Sequence, residues 1–478
     1  MSKRRLAVIG NGMGTCRLLD ELALRGATDA FEITVFGEER GGAYNRILLG
    51  RVLAGEEPNA IVTKTADWYD RHNVRLVERT RVTRLDTARK TVESADGQSR
   101  RYDLAVLATG SQPLVPPLDG MNGPDGELRD GIFVYRTIAD CLRIRNHARP
   151  GDAAVVLGGG LLGLEAAKAL SDRGLHVTVI QVSERLMNAQ LDTIGGEMLR
   201  RQIERHGIFV RAGRTVEAVS GDEELTGVVL DDGTRLPASL IVLACGVRPR
   251  VEVARASGIP VNKGIVVNDA LATEVPGVYA FGECAEHQGK TYGIVGPVWE
   301  HASVLSDVLS GKNPGARYRG SKIYTRLKVA GVDVACLGQV EPELESDEVI
   351  QVVEERKSAY RKLIVRGDRL VGAMLVGQTS AAASLIQLYD RDDPLPADPL
   401  EILCPGAGSA AAPAERVVCN CHRVTDAALK TAIASGADSV EALGAATRAG
   451  TGCGSCRGEL AELVRKHAPP SRPLLAAG

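Results

Sequence analysis

The sequence lacks any apolar run of the roughly 18–20 residues that a membrane-spanning helix requires. It also lacks an excess of charge of one sign, because 58 Lys and Arg are mixed with 60 Asp and Glu and the formal net charge is −2. Without a basic stripe, we expect no nucleic-acid partner. The apolar stretch after the basic start MSKRR is too short for a secretory signal and runs into a glycine-rich turn. These absences predict a cytoplasmic protein that binds neither membranes nor nucleic acid.

Paired cysteines are missing from most of the chain. Of the ten cysteines, six stand singly, and single cysteines in an intracellular protein are usually free, buried thiols. These six are Cys16, Cys141, Cys245, Cys284, Cys336 and Cys404. The other four lie close together near the C-terminus and need a different explanation.

What the sequence does contain is an alternation of apolar strands and helices. Hydrophobic residues make up 44% and charged residues 25%, which is typical of a globular protein. Residues 5–9 and 32–36 have the composition of buried strands around a helix at 15–25, and a second such unit covers 153–182. Repeated units of this kind predict two related nucleotide-binding domains, each with a parallel sheet and helices on both faces.

The first glycine-rich loop, GNGMGT, follows the first predicted strand and contains Gly10, Gly12 and Gly14. Such a turn lets the backbone approach a pyrophosphate, while the helix N-terminus supplies N–H donors and a positive dipole end. Thr15 stands where the GxGxxG pattern requires its third glycine, so a plain helix-capping loop is the alternative. Glu38 follows the second strand, where an acid would hold the ribose hydroxyls.

The second glycine-rich loop is GGGLLGLEAA, which lies between a predicted strand and a predicted helix. It satisfies GxGxxG in full, and the extended form GxGxxGxEAA is more specific than the bare pattern. Its cofactor-binding candidates are Gly158, Gly160, Leu161, Gly163 and Glu165. The loop predicts a site for NADH or NADPH.

Gln181 closes the next strand of this unit, where an acid would favour NAD and repel a 2′-phosphate. Glutamine does neither strongly, and the nearby Arg185 would suit NADP if it were not simply a solvated loop residue. We favour NADH.

Four cysteines near the C-terminus form two tight pairs, Cys419 with Cys421 and Cys453 with Cys456. Four thiolates in this arrangement hold a [2Fe-2S] cluster or a structural zinc ion, and a C-x-C pair is less usual for zinc. The residues between the pairs have helical patterns, and a helix that opens after Cys456 would point its N–H groups at an anionic cluster. A metal would also stabilise so small a domain. We expect [2Fe-2S], with zinc and unrelated free thiols as the alternatives.

Two further segments, YDLAVLATGSQP and TEVPGVYAFGECAE, resemble the FAD-contact motifs of the pyridine nucleotide–disulfide oxidoreductase superfamily. The resemblance implies FAD contacts from Thr109, Gly110, Gly282 and Glu283, with Glu283 where the superfamily usually has an aspartate that holds the ribityl chain. CGVRP, which contains Gly246, resembles the superfamily's segment near the nicotinamide.

The segments AYNRILLGRVL, TYGIVGPVWEHA and TRLKVAGVDVACLG, together with a C-terminal domain similar to bacterioferritin-associated ferredoxin, carry a narrower resemblance. Over residues 4–465 the chain resembles the N-terminal half of the large subunit of NADH-dependent assimilatory nitrite reductases. It resembles equally the electron-transfer subunit of bacterial assimilatory nitrate reductases. This implies that Arg46, Arg51 and Val82 contribute to the FAD site, with Arg51 in place of a lysine near the flavin.

Superfamily members that reduce disulfides carry a CxxxxC pair on the helix after the first strand region or a CxxC pair in the second nucleotide domain, and neither pair occurs at those places here. The resemblance therefore implies a hydride transfer from NAD(P)H to FAD, followed by single electrons to the [2Fe-2S] cluster and to a redox partner protein. That partner would be the catalytic subunit of a nitrate or nitrite reductase. No cysteines remain for a second cluster, so we expect an electron-transfer subunit, which could form a homodimer.

Two rival functions stay open at this point. One is a self-contained flavin dehydrogenase of a small amine or amino acid, against which the second glycine loop argues because such enzymes need no nicotinamide. The other is a flavin redox sensor whose C-terminus is a zinc-binding or partner-binding module.

The predicted fold class is α/β, with two Rossmann-like nucleotide-binding domains for FAD and NAD(P), a small α+β domain and a small helical iron–sulfur domain. A stretch rich in Pro, Ala, Gly and Asp has the composition of a linker that would let the last domain move. The predicted boundaries are 1–115 and 246–320 for the FAD domain, 116–245 for the NAD(P) domain, 321–390 for the α+β interface domain, 391–416 for the linker and 417–467 for the cluster domain.

Overall fold

The computed structural model describes residues 3–222, 224–403, 416–419, 422–452, 454 and 456–467, with the side chains of 327–329 excepted. The chain divides into two compact units. The first comprises Met1–Glu184 and Gly207–Ile323, and the second comprises Arg185–His206 and Tyr324–Gly478. A segment from the middle of the chain therefore groups with the C-terminal part.

The helices of the described residues are α1 Met13–Leu24, α2 Leu49–Ala54, α3 Ala66–Arg71, α4 Ile138–His147, α5 Leu161–Asp172, α6 Thr193–Arg205, α7 Glu252–Ala256, α8 Val295–Ser310, α9 Ala382–Arg391, α10 Leu400–Leu403, α11 Asp426–Ala434, α12 Val440–Thr447 and α13 Arg457–His467.

The strands of the first unit are β1 Arg4–Ile9, β2 Phe31–Phe36, β3 Val74–Val77, β4 Val82–Asp86, β5 Thr91–Ser94, β6 Ser99–Arg101, β7 Leu104–Leu107, β8 Ser111–Pro113, β9 Ile132–Val134, β10 Ala153–Leu157, β11 His176–Gln181, β12 Phe209–Ala212, β13 Val216–Ser220, β14 Gly227–Leu230, β15 Arg235–Pro237, β16 Leu240–Leu243, β17 Val247–Pro249, β18 Ile265–Val267, β19 Val278–Ala280 and β20 Ala285–His287. The strands of the second unit are β21 Tyr324–Val329, β22 Val332–Gly338, β23 Asp347–Glu354, β24 Ala359–Arg366, β25 Arg369–Val376, β26 Val417–Cys419 and β27 Val424–Thr425.

A parallel sheet of five strands is built around β1, in the order β19-β7-β1-β2-β3. Val8 of β1 lies opposite Val35 of β2 on one side and Val106 of β7 on the other, and all three are 0% exposed. Parallel strands that are buried on both faces have continuous apolar runs, which is why the sequence predicted them. Helix α1 begins at Met13, earlier than the predicted 15–25, because Gly12 is its N-cap residue.

A second parallel sheet repeats this arrangement around β10, in the order β12-β11-β10-β16-β9. Val156 of β10 lies opposite Val179 of β11 and Val242 of β16, and these valines are also 0% exposed. Strands β8 and β17, which follow β7 and β16, pair with each other. The sequence prediction of two related α/β domains is confirmed.

Smaller sheets complete the first unit. Strands β4-β5-β6 and β13-β14-β15 form two antiparallel sheets, and β18 pairs with β20 in parallel. The antiparallel pairs follow their chain order, so each of these sheets is a simple meander.

The second unit contains an antiparallel sheet of five strands in the order β21-β22-β25-β24-β23, which is the predicted α+β domain. Its core includes Leu363 of β24, Leu375 of β25 and Leu385 of α9, each 0% exposed. The start of the predicted linker belongs to this domain, because Leu403 is buried in the same core and its carbonyl accepts a hydrogen bond of 2.6 Å from Arg361. Only 404–415, which lie outside the described residues, are left for the predicted linker.

Helix α6 joins this sheet through a buried carboxylate. Asp192, the N-cap residue of α6, accepts hydrogen bonds from the Gly195 N–H at 2.8 Å, the Tyr360 hydroxyl at 2.7 Å and the Lys362 ammonium at 2.9 Å. The side chains of Asp192 and Lys362 are 7% and 5% exposed. The sequence placed α6 in the NAD(P) domain at 116–245, whereas this contact ties it to the α+β sheet.

The C-terminal domain consists of the β26–β27 hairpin and helices α11, α12 and α13, which are close to the predicted helices. They pack around Leu429, Leu443 and Leu460, each 0% exposed. None of the helices in the described residues is long and apolar enough to cross a membrane.

Replacing Asp192 with alanine should destabilise the second unit by about 3 kcal/mol, because it removes the cap of α6 and one of the charges that compensate the buried Lys362. Urea unfolding of the variant measures this loss. The matched control is Asp172→Ala, which removes a half-exposed ion pair with Lys168 and should cost about 0.5 kcal/mol or less. Equal losses of unfolding free energy in the two variants would show that the Asp192 contacts stabilise the protein no more than a half-exposed ion pair does.

Candidate functional site

The first glycine loop leaves no room for a side chain where the chain turns from β1 into α1. Gly10 has φ +113°, and a Cβ there would lie 2.2 Å from the carbonyl oxygen of Ala108. Thr15 is fully buried, and its hydroxyl donates a hydrogen bond of 2.7 Å to the carbonyl of Gly10. Gly12 caps the helix and faces open space, whereas Gly14 packs closely against other side chains. The backbone amides at the start of α1 are therefore open to a ligand, as a pyrophosphate requires.

The second glycine loop has the same construction. Gly158 has φ +112°, and a Cβ there would lie 2.3 Å from the carbonyl oxygen of Ala244. A Cβ on Gly163 would lie 1.8 Å from the carbonyl oxygen of Gly158, so no side chain fits, whereas Gly160 again faces open space and Leu161 starts α5. Thr15 occupies in the first loop the place that Gly163 occupies in the second. The imperfect first motif thus forms the same turn, with a hydroxyl–carbonyl hydrogen bond instead of a backbone contact.

Three predicted residues from two separate segments meet at Arg250. Its guanidinium lies 2.6 Å from the Glu38 carboxylate, its carbonyl accepts a hydrogen bond of 2.6 Å from the Thr109 hydroxyl, and its N–H donates to the Gly110 carbonyl at 2.9 Å. Glu38 also lies 3.9 Å from Arg81. The acid that was predicted to hold ribose hydroxyls is thus fixed beside the segment that follows β7.

Glu283 is held by two residues that the sequence analysis missed. The Ser111 hydroxyl donates to its carboxylate at 2.7 Å, and Arg136 forms an ion pair with it while also donating to Ser111. The Nε of Arg136 is buried and has no hydrogen-bond partner in the described residues. Gly282, beside the carboxylate, has φ +80° and donates its N–H to Nδ1 of His301 at 3.1 Å. Ser111 lies in the segment YDLAVLATGSQP but was not singled out there, and no motif marks Arg136, so only the folded chain reveals their contacts with Glu283.

Arg46 joins the same group of residues. It donates to the carbonyl oxygen of Arg136 at 2.9 Å and to the carboxylate of Glu39, and its guanidinium lies 5.0 Å from the centre of the Tyr44 ring. Arg46, Arg136 and Glu283 therefore form one charged cluster in the first unit, and an orphaned buried donor within it fits a polar cofactor.

Three other predicted residues have different surroundings. Arg51 donates two hydrogen bonds of 2.5 Å to Glu56, so its guanidinium is engaged within its own segment. Val82 is buried in β4, opposite Ser94. Gly246 has φ +113°, and its carbonyl accepts the N–H of Leu114 at 2.9 Å. The cofactor contacts expected of Arg51, Val82 and Gly246 stay predictions.

Glu165, in the second turn of α5, is close to Gly50 and Tyr135. A Cβ on Gly50 would lie 3.8 Å from Cβ of Glu165 and 3.7 Å from the Tyr135 hydroxyl oxygen. That hydroxyl is buried and has no hydrogen-bond partner in the residues that the structure describes. Burial raises the pKa of Glu165 from 4.5 to about 7 and raises the pKa of Tyr135 well above its usual value. Near neutral pH, Glu165 therefore exchanges between its charged and neutral forms.

Gln181 does not stand free at the end of β11. Its side-chain oxygen accepts the N–H of Gly159 at 2.8 Å, and the side chain is 9% exposed. The residue that was predicted to face a ribose thus supports the glycine loop itself.

Two of the four predicted cluster ligands lie in the described residues. Cys419 and Cys456 are 0% and 3% exposed and belong to one core, while Cys421 and Cys453 lie outside the described residues. Within the described part no group of three or more metal-ligating side chains occurs. Helix α13 begins at Arg457, directly after Cys456, as predicted.

An ion pair ties the start of α13 to the α+β sheet. The Glu459 carboxylate lies 3.0 Å from the guanidinium of Arg326 on β21 and also pairs with Arg416, which precedes β26. The side chains of Glu459 and Arg326 are 14% and 27% exposed. The segment before Cys419 and the segment after Cys456 are thus joined through the Glu459 carboxylate.

The single cysteines are free thiols wherever they are described. Cys141, Cys284 and Cys336 are buried, as predicted, whereas Cys16 and Cys245 are half-buried and Cys404 lies outside the described residues. Burial raises the pKa of all five described thiols, to about 12 for Cys141 and Cys336. A raised pKa disfavours the reactive thiolate, so these residues are poor candidates for redox chemistry.

Serine at position 50 should satisfy the orphaned Tyr135 hydroxyl, because the Cβ fits in ordinary van der Waals contact. We expect Gly50→Ser to stabilise the protein by about 1 kcal/mol, from higher helix propensity and the new hydrogen bond. Thermal unfolding measures the effect, with Gly50→Ala as the matched control. Alanine has the better propensity by about 0.5 kcal/mol, so a serine variant that trails alanine by that amount would exclude the hydrogen bond.

Glu165→Gln should stabilise the protein at pH 8 but have little effect near pH 4. Below pH 4.5 the carboxyl group is protonated in both the folded and unfolded states. As the pH rises towards 7, Glu165 ionises first in the unfolded chain. The free energy of unfolding of the wild type therefore falls by up to about 3 kcal/mol, whereas that of the amide variant does not. Urea unfolding without added NADH, across this pH range, measures the difference. A difference that stays constant with pH would contradict the raised pKa.

Three protein families match successive parts of the chain. The pyridine nucleotide-disulphide oxidoreductase family matches residues 4–304, the rubredoxin NAD+ reductase C-terminal domain matches 324–391 and the BFD-like [2Fe-2S] binding domain matches 417–466. The last match favours iron–sulfur over the zinc alternative.

Similar proteins include the nitrite reductase [NAD(P)H] of Bacillus subtilis (strain 168), which is 37% identical over 97% of this chain and 58% of its own length. The assimilatory nitrate reductase electron transfer subunit of the same organism is 35% identical over 97% of this chain and 60% of its own length. The nitrite reductase (NADH) large subunit of Escherichia coli (strain K12) is 36% identical over 95% of this chain and 54% of its own length. The chain thus spans a little more than half the length of these relatives.

Solved structures support the fold. A covalent putidaredoxin reductase–putidaredoxin complex aligns with a TM-score of 0.75 over 84% of this chain and 96% of the other, at 24% identity. The NADH:rubredoxin oxidoreductase from Clostridium acetobutylicum aligns with a TM-score of 0.68 over 84% and 99%, also at 24% identity.

These matches confirm the predicted cofactors, which are FAD, NAD(P)H and a [2Fe-2S] cluster. With two glycine loops of one construction on two parallel sheets, the chain belongs to the pyridine nucleotide-disulphide oxidoreductase family.

Proposed function

We propose that this chain takes reducing equivalents from NADH and delivers them singly to a redox partner protein, the catalytic subunit of an assimilatory nitrate or nitrite reductase. The observation that carries the proposal is the [2Fe-2S] domain at 417–466, joined to a flavoprotein with no cysteine pair of its own. FAD supplies the chemistry that links a two-electron donor to a one-electron acceptor.

The first loop and its charged cluster would bind FAD. Gly10, Gly12 and the start of α1 present backbone N–H groups to a pyrophosphate, with Thr15 holding the turn. Glu38 would accept hydrogen bonds from ribose hydroxyls, and Glu283, fixed by Arg136 and Ser111, would hold the ribityl chain. Thr109, Gly110, Gly14 and Gly282 shape the backbone around them.

The second loop would bind the dinucleotide donor through Gly158, Gly160, Gly163 and the start of α5. Hydride transfer requires a positioned donor and a dry site, and no side chain has to move a proton. We therefore assign no catalytic side chain. Glu165, half-buried in the second turn of α5, would line this site.

Cys419, Cys421, Cys453 and Cys456 would hold the cluster. The two described members lie in one core at the start of α13, whose N–H groups favour an anionic group. With the five described single thiols unsuited to redox chemistry, these four cysteines would offer electrons an exit from the chain.

The partner is proposed from the relatives. The two Bacillus subtilis proteins are named as a nitrite reductase and as the electron transfer subunit of an assimilatory nitrate reductase. From the second of these names we assign electron delivery to this chain and nitrate or nitrite reduction to the partner.

Replacing Cys456 with serine should remove the cluster and stop electron delivery without stopping hydride transfer. We expect loss of bound iron and a loss of about 10-fold or more in NADH-driven reduction of the purified nitrate or nitrite reductase subunit. NADH-driven reduction of ferricyanide should change little, because it needs only the flavin.

The control is Cys336→Ser, which alters a single thiol on β22 of the α+β sheet and should retain both activities. Undiminished partner reduction by the iron-free Cys456 variant would show that electrons leave by another route, and the proposal would fail.

A further inference from the structure

The position that normally distinguishes NADH from NADPH carries no acid in this chain. In dinucleotide-binding units, the residue at the end of the second strand contacts the adenosine ribose, and an acid there accepts its hydroxyls and repels a 2′-phosphate. That position is Gln181, at the end of β11. Its side-chain oxygen already accepts a hydrogen bond from the N–H of Gly159, so this oxygen is not available to accept one from a ribose hydroxyl.

A carboxylate does reach this end of the sheet from Glu184, just beyond β11. Both of its oxygens lie over Gly213, since a Cβ there would be 2.5 Å from each. The N–H of Gly213 donates to the carbonyl oxygen of Ser183 at 3.1 Å, which holds the two segments together after β11 and β12. Glu184 is exposed and has no hydrogen bond or ion pair with any residue that the structure describes.

Arg214, the cation that follows Gly213 in the chain, is already paired. It lies 2.9 Å from Asp232 and 4.0 Å from Asp231, and it donates to the carbonyl oxygen of Gly213 at 3.1 Å. A carboxylate without a partner accepts hydrogen bonds from a ribose diol, whereas a phosphate at the same place meets repulsion.

Arg185, whose positive charge would favour the 2′-phosphate of NADP, packs against α6. A Cβ on Gly196 would lie 2.8 Å from the Cβ of Arg185, and the Nε of Arg185 is buried. It is not the solvated loop residue that the sequence suggested.

We infer that Glu184 is the specificity-determining residue of the dinucleotide site and selects NADH over NADPH. It replaces, from a position beyond the strand end, the acid that is missing at position 181. This inference rests on the proposed function, because it assumes that the second loop binds the donor.

The test measures binding in the oxidised holoenzyme, with probes that lack the nicotinamide and cannot turn over. Isothermal titration with 5′-AMP and with adenosine 2′,5′-bisphosphate should give at least 10-fold weaker binding of the bisphosphate. In Glu184→Gln the ratio of the affinity for 5′-AMP to the affinity for the bisphosphate should fall by about 10-fold, equivalent to about 1.4 kcal/mol. Steady-state kcat/KM for NADH and NADPH should shift in the same direction.

The matched control is Glu217→Gln, which removes an exposed carboxylate from β13 and should leave the ratio unchanged. Equal binding of both probes by the wild type, or an unchanged ratio in Glu184→Gln, would overturn the inference. Anaerobic bleaching of the flavin by NADH distinguishes a failure of this inference from a failure of the proposed function. If NADH bleaches the flavin but the affinity ratio of the two probes is not as expected, only the inference about Glu184 is wrong. If NADH does not bleach the flavin, the proposed function is wrong.

Discussion

Both cofactor loops depend on one steric constraint, the close approach of a glycine to the carbonyl oxygen of a neighbouring segment. Gly10 faces Ala108 and Gly158 faces Ala244 at distances that exclude any side chain, so the chain turns sharply from each central strand into a helix. The turn brings the helix N-terminus to the carboxyl edge of the sheet, with its amides free. The positions of α1 and α5, and the ligand contacts proposed for Glu38 and Glu283, depend on these two turns.

The parts of the fold that depend on local chemistry were predictable from the sequence. Buried parallel strands have continuous apolar runs and each loop has its glycines, so the two α/β domains and the helices of the cluster domain were found within a few residues. Thr15 looked like a defect of the first motif, because a pattern of glycines does not show that a hydroxyl can bond the Gly10 carbonyl. Arg136 and Ser111 were missed since they reach Glu283 from distant segments.

The boundaries of domains were harder to predict, because they depend on long-range contacts. Asp192 is an ordinary N-cap residue in sequence, yet its bonds to Tyr360 and Lys362 place α6 with the α+β sheet. Leu403 lies in a stretch with the composition of a linker, and its burial assigns that stretch to a core. Composition describes what a segment tends to do alone, and tertiary contacts decide where it ends up.

The contact between Glu459 and Arg326 also limits how the cluster domain behaves. Both groups are largely shielded from solvent, and Arg416 adds a second cation on the same carboxylate. Any excursion of that domain away from the sheet has to separate these charges and hydrate them again. Ions in solution favour the separated state, since they screen charges most effectively once they are exposed. Higher ionic strength therefore favours separation of the C-terminal domain from the sheet, through a contact that lies within this chain.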